Sequence, residues 1–436
     1  MFVAKRKLVF WVEERTGVLR LVRGFGAKPI PASAGWPHVL GSVAVFLFLV
    51  QVFTGALLAL NYSAAPAAAW SSVRRIDSEI AAGSLIRGLH HWGSSAMIVV
   101  VVAHMTQVFL AGAYRRPREV TWMAGVALLI LTLGFGLTGY LLPWDNRGYW
   151  GTVVTTEIAR QVPGAGPLAE NLLGGAHVGA VTLARFFAFH SIIFPMLGIA
   201  IIAFHVAMVM RHGVTPATYE SGPSGTFYPG QALRDAVAVF ACFALLFGAA
   251  LFVRVPLEKM ADPNDLSYAP RPDWYFLFLF ELLKFLRGAL EPLGTMVLPG
   301  LAVAALLLAP FLDRAERARF RERAWRVTIV VFVFSTWAAL TWGALAAPAG
   351  GGVSSRVSRG ADIYQSSGCA GCHSLGGLGE QVGPPLDGVA ARRSRTWMHR
   401  HFLSPPDVVP GSIMPAYHFS DAEERALIDY LSAQQR

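Results

Sequence analysis

Seven apolar windows, near residues 37–60, 92–112, 122–142, 186–210, 236–253, 293–312 and 327–347, are each long enough to cross the ~30 Å hydrocarbon core of a bilayer. In hydrocarbon every backbone N–H and C=O must be paired within its own segment, so such windows fold as helices. The chain therefore reads as all-α, a seven-span transmembrane bundle. Composition agrees: 54% of the 436 residues are apolar and 15% charged, where a soluble domain carries about 25% charge. A wholly soluble enzyme is excluded. The net charge of +10 falls in short basic runs between the windows, a topology signal and not a nucleic-acid patch. A further apolar run, 275–286, has only twelve residues and carries Glu281 and Lys284; it reads as an interfacial or re-entrant helix.

The start of the chain has no cleavable signal pattern: Lys5-Arg6-Lys7 precedes Trp11-Val12-Glu13-Glu14-Arg15, which reads as an amphipathic surface helix lying on lipid. With the N-terminus cytoplasmic, the inner segments hold 7, 3, 2 and 6 Lys/Arg, against 3, 3 and 5 in the outer loops. That bias is positive-inside. Seven spans then put the C-terminus outside the cytoplasm. After the last window, residues 347–358 form a Gly/Ser/Pro-rich flexible linker, followed by a polar segment of about 80 residues with the length of one small domain.

Four histidines lie inside spans two and four. His90 and His104 are 14 residues apart, and His190 and His205 are 15 apart. Fourteen residues make just under four helical turns and about 21 Å of depth, so each pair projects from nearly one face at two levels. An intramembrane imidazole is a functional candidate by default. Spans two and four run in the same direction, so His90 shares a level with His190, and His104 with His205. The product is two bis-histidine sites stacked across the bilayer, suited to low-spin haem b. Gly41 and Gly55 in span one, and Gly125 and Gly139 in span three, repeat the 14-residue period. A porphyrin edge needs backbone closer than a side chain allows; close helix packing is the competing use of such glycines.

Arg87, one turn before His90, and Arg211 are offered to anionic haem propionates, with snorkelling anchors as the alternative. His91 points about 100° away from His90 and reads as an interface residue. His38, His177 and His212 lie near span ends or in loops and read as structural or surface residues. Cys242, alone in span five, reads as an inert core thiol.

Cys369-Ala370-Gly371-Cys372-His373 is the attachment motif of c-type haem: two thiols add to the vinyl groups and the adjacent imidazole becomes an axial ligand. Three cysteines in all are too few for a disulfide framework or a four-thiolate zinc site. The second axial ligand is sought at Met414 in Gly411-Ser412-Ile413-Met414-Pro415, with Met398, His399 and His401 as competitors. Gly383-Pro384-Pro385-Leu386 would pack on the proximal side.

With these motifs assembled, nearly the whole chain resembles the cytochrome b of quinol–cytochrome c oxidoreductases (the cytochrome bc complexes), fused to a class-I-like cytochrome c. The resemblance rests on the paired histidines and glycines, on Gly139-Tyr140-Leu141-Leu142-Pro143-Trp144-Asp145, on Gly148-Tyr149-Trp150 and on Pro272-Asp273-Trp274-Tyr275. The 15-residue gap and the absence of an eighth span look like the split plastid-type arrangement joined into one chain. It implies a four-helix dihaem bundle over 1–215, a three-helix quinol-site part over 216–346, the linker over 347–358 and a small α-helical cytochrome c domain over 359–436. Two departures stand out. Asp273 replaces the usual Glu of the tetrapeptide, a carboxylate one methylene shorter. Val39 stands where plastid-type proteins carry the cysteine of an extra haem, so no thioether-bound extra haem is expected.

The resemblance implies that quinol is oxidised at the outer face, with Asp273 as proton acceptor and Tyr275 positioning the ring oxygen; an N-cap role for Asp273 is compatible with both. The loop helices after Pro143 would face that tetrapeptide across a cleft. One electron would cross through two haems b to an inner quinone site, and the other would reach the haem c. No iron–sulfur ligand set is left over in the sequence, so a Rieske-type iron–sulfur protein is expected as a separate partner. A downstream cytochrome or oxidase and a second copy of the complex are the other partners implied. The contrasting reading is a haem-bearing membrane anchor that links a dehydrogenase to the quinone pool; it needs neither the tetrapeptide nor the appended domain.

Overall fold

The structure, a computed structural model, describes residues 10–31, 34–160, 166–175, 178–214, 225–263, 268, 271–286, 290–313, 324–346, 355–376 and 378–434. Among them seven helices are long and apolar enough to cross a membrane: Trp36–Ala59, Gly83–Ala111, Glu119–Leu141, Ala180–His212, Phe227–Phe252, Leu293–Leu312 and Ala324–Ala346, called spans one to seven below. Large apolar side chains such as Phe53, Phe240, Leu245 and Phe332 point away from the protein, as helices bathed in lipid require. The one strand pair among the described residues is two residues long, Pro29–Ile30 against Gly225–Thr226, antiparallel. Before span one, a helix over 10–16 and a second, Val18–Gly26, carry exposed Trp11, Val22 and Phe25.

The chain divides into two compact units, Met1–Ala261 with Leu282–Ala339, and Asp262–Glu281 with Leu340–Arg436. The first unit holds spans one to six with most of span seven, so span five is grouped with the first four. The reason lies in the packing: Leu246 of span five joins Val43 and Leu47 of span one and Met97 of span two in one buried cluster. Ser42 of span one also donates to Asp235 Oδ2 of span five at 2.7 Å. Span three and the turn after span two meet span six through Trp122, Val126 and Tyr114, packed against Leu306, Leu307 and Ala309. Where these helices end, Asp313 Oδ2 accepts from Tyr114 Oη at 2.6 Å, Arg115 Nε at 3.1 Å and Arg326 Nη2 at 2.5 Å.

The stretch after span five, residues 253–261, is fastened to the first unit carbonyl by carbonyl. Trp92 Nε1 donates to Val253 O at 3.0 Å and Trp70 Nε1 to Glu258 O at 2.8 Å. Asn146 N donates to Lys259 O at 2.9 Å, and Ala261 N to Trp144 O at 3.0 Å. Asp145 closes the seam: its Oδ1 accepts from Gly148 N at 2.8 Å and its Oδ2 from Glu258 N at 3.2 Å. Burial pushes the Asp145 carboxyl above the ordinary carboxylate range.

In the second unit, the helices Ser355–Ser366 and Asp421–Ala433 cross over a core of Tyr364, Leu427, Tyr430 and Leu431. Ser420 caps the second helix in a reciprocal box with Glu423. The first begins at Ser355, inside the segment expected to be linker up to 358, because Val357 already packs on that core. Residues 347–354 of the expected linker lie outside the described residues.

Candidate haem pockets and quinol tetrapeptide

His90 and His190 face each other with ring centroids 6.1 Å apart. Thr54 Oγ1 lies 3.0 Å from His90 Nδ1, and Thr138 Oγ1 lies 3.2 Å from His190 Nδ1. Each threonine spends its own proton on the carbonyl four residues earlier, Val50 O at 2.6 Å and Gly134 O at 2.8 Å. The remaining lone pair on Oγ1 then accepts from the imidazole, which puts the proton on Nδ1 and leaves Nε2 bare, the form a metal ligand needs. Both glycines of this level stand against the rings. A Cβ on Gly55 would come 3.0 Å from His90 Cε1, and one on Gly139 would come 2.6 Å from His190 Cε1.

The second level repeats the plan more loosely. A Cβ on Gly41 would lie 3.5 Å from His104 Cε1, and one on Gly125 would lie 3.6 Å from His205 Cε1. His104 and His205 are near enough to interact electrostatically. Neither Nδ1 has a hydrogen-bond partner although both are buried. The unequal histidine spacings are reconciled by span four itself: residues Phe189–Ile193, around His190, form a single π-helical turn just ahead of Pro195. Such a turn inserts one residue into an α-helix, so 15 residues on span four cover the depth of 14 on span two.

These residues fit a pair of b-type haems. Bare or orphaned imidazoles converge from two helices, and the two remaining walls present glycine backbone, which a Cβ would crowd at Gly55 and Gly139 and only touch at Gly41 and Gly125. Arg87 is 8% exposed, and its guanidinium is held by Asp77 and by the carbonyls of Val255 and Pro256. Arg211 is exposed at the end of span four. His38 Nδ1 accepts from Gly35 N at 3.2 Å, His212 offers its carbonyl to Arg118 Nη2 at 2.9 Å, and His177 lies outside the described residues. Val39 is buried, and Cys242 packs beside the Leu246 cluster.

In the other unit, Tyr275 Oη donates to Asp273 Oδ2 at 3.2 Å, and Phe276 N donates to Asp273 O at 2.8 Å. That backbone bond opens the turn into the helix Leu277–Phe285, which fills most of the short apolar run 275–286. Tyr275 and Pro272 are buried and Asp273 is half-buried, so the carboxylate is aimed by its neighbouring phenol.

In the C-terminal domain His373 Nδ1 lies 2.8 Å from Pro384 O. A carbonyl only accepts, so Nδ1 carries the proton and Nε2 is bare. A Cβ on Gly383 would stand 2.5 Å from His373 Cε1, so the loop 383–386 meets the ring as backbone. Tyr364, pushed up to about 12 by burial, donates to His373 O at 3.1 Å. Among the four ligand candidates, Met398 is 2% exposed in the core and His399 Nδ1 is 2.6 Å from Glu424 Oε1. His401 stacks on Trp397 at 4.6 Å. Met414 is half-buried on the extended stretch before Ser420, against the same core.

Seven membrane helices, imidazoles at two depths and an appended domain with a c-type attachment motif define a membrane-embedded b-type cytochrome carrying a cytochrome c. Residues 26–213 match the family of cytochrome b/b6/petB, 260–357 that of the C-terminal part of cytochrome b, b6/petD, and 357–435 that of cytochrome c. A cytochrome bc complex cytochrome b subunit from Chlorobaculum thiosulfatiphilum is 35% identical over 314 residues, covering 70% of this chain and 73% of that one. The cytochrome b6 of Gloeobacter violaceus is 39% identical over 210 residues, 48% of this chain and 98% of the relative. A solved structure described as a hyperthermophilic respiratory Complex III superposes with a TM-score of 0.70 at 29% identity, over 78% of this chain and 92% of that one. The chain belongs to the cytochrome b family of cytochrome bc complexes, as an integral membrane haem protein of electron transport with a cytochrome c domain fused at its C-terminal end.

Proposed function

We propose that the chain is the cytochrome b and c subunit of a quinol–cytochrome c oxidoreductase, with His90 and His190 ligating one haem b, His104 and His205 a second, and Cys369, Cys372, His373 and Met414 holding a covalent haem c. The observation that carries this reading is the two-level set of imidazoles, each opposed by a glycine of span one or three. When bound, the haems would supply one-electron chemistry, linking the outer quinol site to an inner quinone site at the stacked pair and to a separate Rieske-type partner at the haem c.

The protein's own part is binding and proton handling. Asp273 accepts a proton from quinol at the outer face, and Tyr275, hydrogen-bonded to it, fixes the carboxylate and the ring oxygen. Thr54 and Thr138 hold the imidazoles of their level in the ligating tautomer. The N-terminus is cytoplasmic and the cytochrome c domain lies outside, so protons are released on the outer side. The segment between span seven and Ser355 keeps that domain at high effective concentration near its electron donor. The complex works as a homodimer in an energy-transducing membrane and passes electrons to a soluble or membrane cytochrome or oxidase.

The test is oxidant-induced reduction. Membranes holding the complex receive quinol, an inner-site inhibitor and then an oxidant. Transient reduction of haem b is the expected result, and its absence would favour a haem-bearing anchor between a dehydrogenase and the quinone pool.

A further inference from the structure

Glu281 is the single acidic residue of the helix Leu277–Phe285, whose other members are leucine, phenylalanine and Lys284. A carboxylate on an apolar helix of a membrane protein is costly and is a functional candidate by default. Its side chain is half-buried and lies along the last turn of span seven. A Cβ on Gly343 would stand 3.5 Å from Glu281 Oε1, 3.6 Å from its Cγ and 3.7 Å from its Cδ. Gly343 thus leaves the carboxyl arm the room that a larger side chain would take. Ala344 next to it is buried, and Thr341 Oγ1, two residues earlier, is enclosed without a hydrogen-bond partner. Span seven carries no ionisable side chain between Arg326 and its end. On the carboxylate's own segment the charged and titratable groups are Arg271, Asp273 and Tyr275 before it and Lys284 three residues after it.

One compact unit holds Asp273, Tyr275, Glu281 and this end of span seven. Phe276 N donates to Asp273 O at 2.8 Å, and Leu279 N to Phe276 O at 3.0 Å, so the turn of the tetrapeptide runs straight into the helix. Eight residues separate the two carboxylates, about 12 Å along a helix axis and about 80° around it. Two acidic side chains and one or two waters cover that distance. Asp273 is short and its Oδ2 is held by Tyr275 Oη at 3.2 Å, so it is fixed where it stands, whereas Glu281 sits on the following helix with a longer arm.

We propose that Glu281 is the second carboxylate of the proton exit from the quinol site. The quinol hydroxyl loses its proton to the Asp273 carboxylate, which becomes a carboxylic acid. That acid passes the proton to the Glu281 carboxylate, and Glu281 releases it to the outer water. The quinol's other proton leaves on the side of the Rieske-type partner. Its two electrons go one to that partner and one to the haem at the His90 level, so the quinol ends as quinone. The inference rests on the reading of Asp273 and Tyr275 as the outer quinol site.

The experiment follows quinol-driven reduction of the haem c in membranes carrying the full complex, with a short-chain quinol, in a single turnover and over a range of pH. Glu281→Gln is expected to slow this step at least about tenfold, short of the ~10²–10⁴-fold typical of a group that itself takes the reacting proton. The deficit narrows as pH rises, because hydroxide in the outer water then replaces the missing carboxylate. Glu281→Asp restores most of the rate, and the midpoints of both b components stay in place in either variant. If Glu281 only fills space beside Gly343, Glu281→Gln keeps the unmodified rate, or the Gln and Asp variants lose the same fraction at every pH; either result overturns the inference. Should Glu281→Gln fail to assemble, Glu281→Asp alone decides: a changed pH profile supports the relay and an unchanged one contradicts it. Failure of the quinol-site reading would show separately, as an unmodified chain whose haem c quinol does not reduce.

Discussion

Gly139 and His190 stand so close that a Cβ on the glycine would lie 2.6 Å from the imidazole Cε1. The same test gives 3.0 Å for Gly55 against His90 and about 3.5 Å for both glycines of the other level. Real Cβ atoms do not approach below 3 Å, so the ranking predicts graded damage. Gly139→Ala removes or grossly shifts the haem b at the His90 level, Gly55→Ala disturbs it, and Gly41→Ala and Gly125→Ala leave both imidazoles where they are. Low-temperature spectra and midpoints of the two b components check the order.

Thr54 and Thr138 each give His90 or His190 a hydroxyl acceptor for Nδ1–H, and no side chain does this for His104 or His205. Replacing Thr54 by Val keeps the shape and removes the hydroxyl acceptor from His90 Nδ1. The imidazole also becomes a poorer donor to ferric iron, so the midpoint of that level rises. Redox titration of Thr54→Val and Thr138→Val should move one b component upward and leave the other in place.

Asp145 knits the loop after span three to residues 258–261, and burial raises its carboxyl above the ordinary range. The folded protein then keeps this proton over a pH interval in which the unfolded chain has lost it. Stability therefore falls as pH rises from the normal carboxylate range through the raised value. Asp145→Asn removes that slope. It also turns an N–H donor toward Glu258 N, at a cost of about 1–3 kcal/mol. Thermal haem loss, followed as a function of pH in both proteins, reads both effects.

Truncations at Met414 and Met398 distinguish the proposed ligand from a core residue. Met414→Ala is expected to abolish the thioether-to-ferric-haem absorption at the red end of the spectrum and to lower the haem c potential. Met398, 2% exposed among Tyr364, Phe402 and Leu427, should on truncation cost about 2–5 kcal/mol and leave that absorption intact. Optical spectra with a denaturation curve distinguish the two outcomes.

Periodicity in the sequence read the bundle well because apolar windows and equal spacings of His and Gly report one helix face at a time. The seven spans, the shared levels of His90 with His190, and the glycine walls all follow from repeats along single helices. The π-helical turn at Phe189–Ile193 did not: the 15-residue spacing was visible, but a one-residue insertion leaves no compositional mark. Arg87 shows the other limit. Its hydrogen-bond partners are Asp77, ten residues back, and carbonyls 168 and 169 residues ahead. Nothing local encodes the latter. Span five likewise packs with spans one and two through Leu246 and Asp235, contacts that a division by apolar windows does not see.

Everything proposed for the membrane part depends on four imidazoles carrying two haems. Pyridine haemochrome analysis of the purified protein, before and after acid-acetone extraction, counts them directly. Two extractable haems and one covalent haem per chain are predicted, with loss of one b component when either His90 or His190 is replaced by Leu and of the other when either His104 or His205 is. Fewer than two extractable haems, or an unaltered b spectrum after any of those four replacements, would contradict the account.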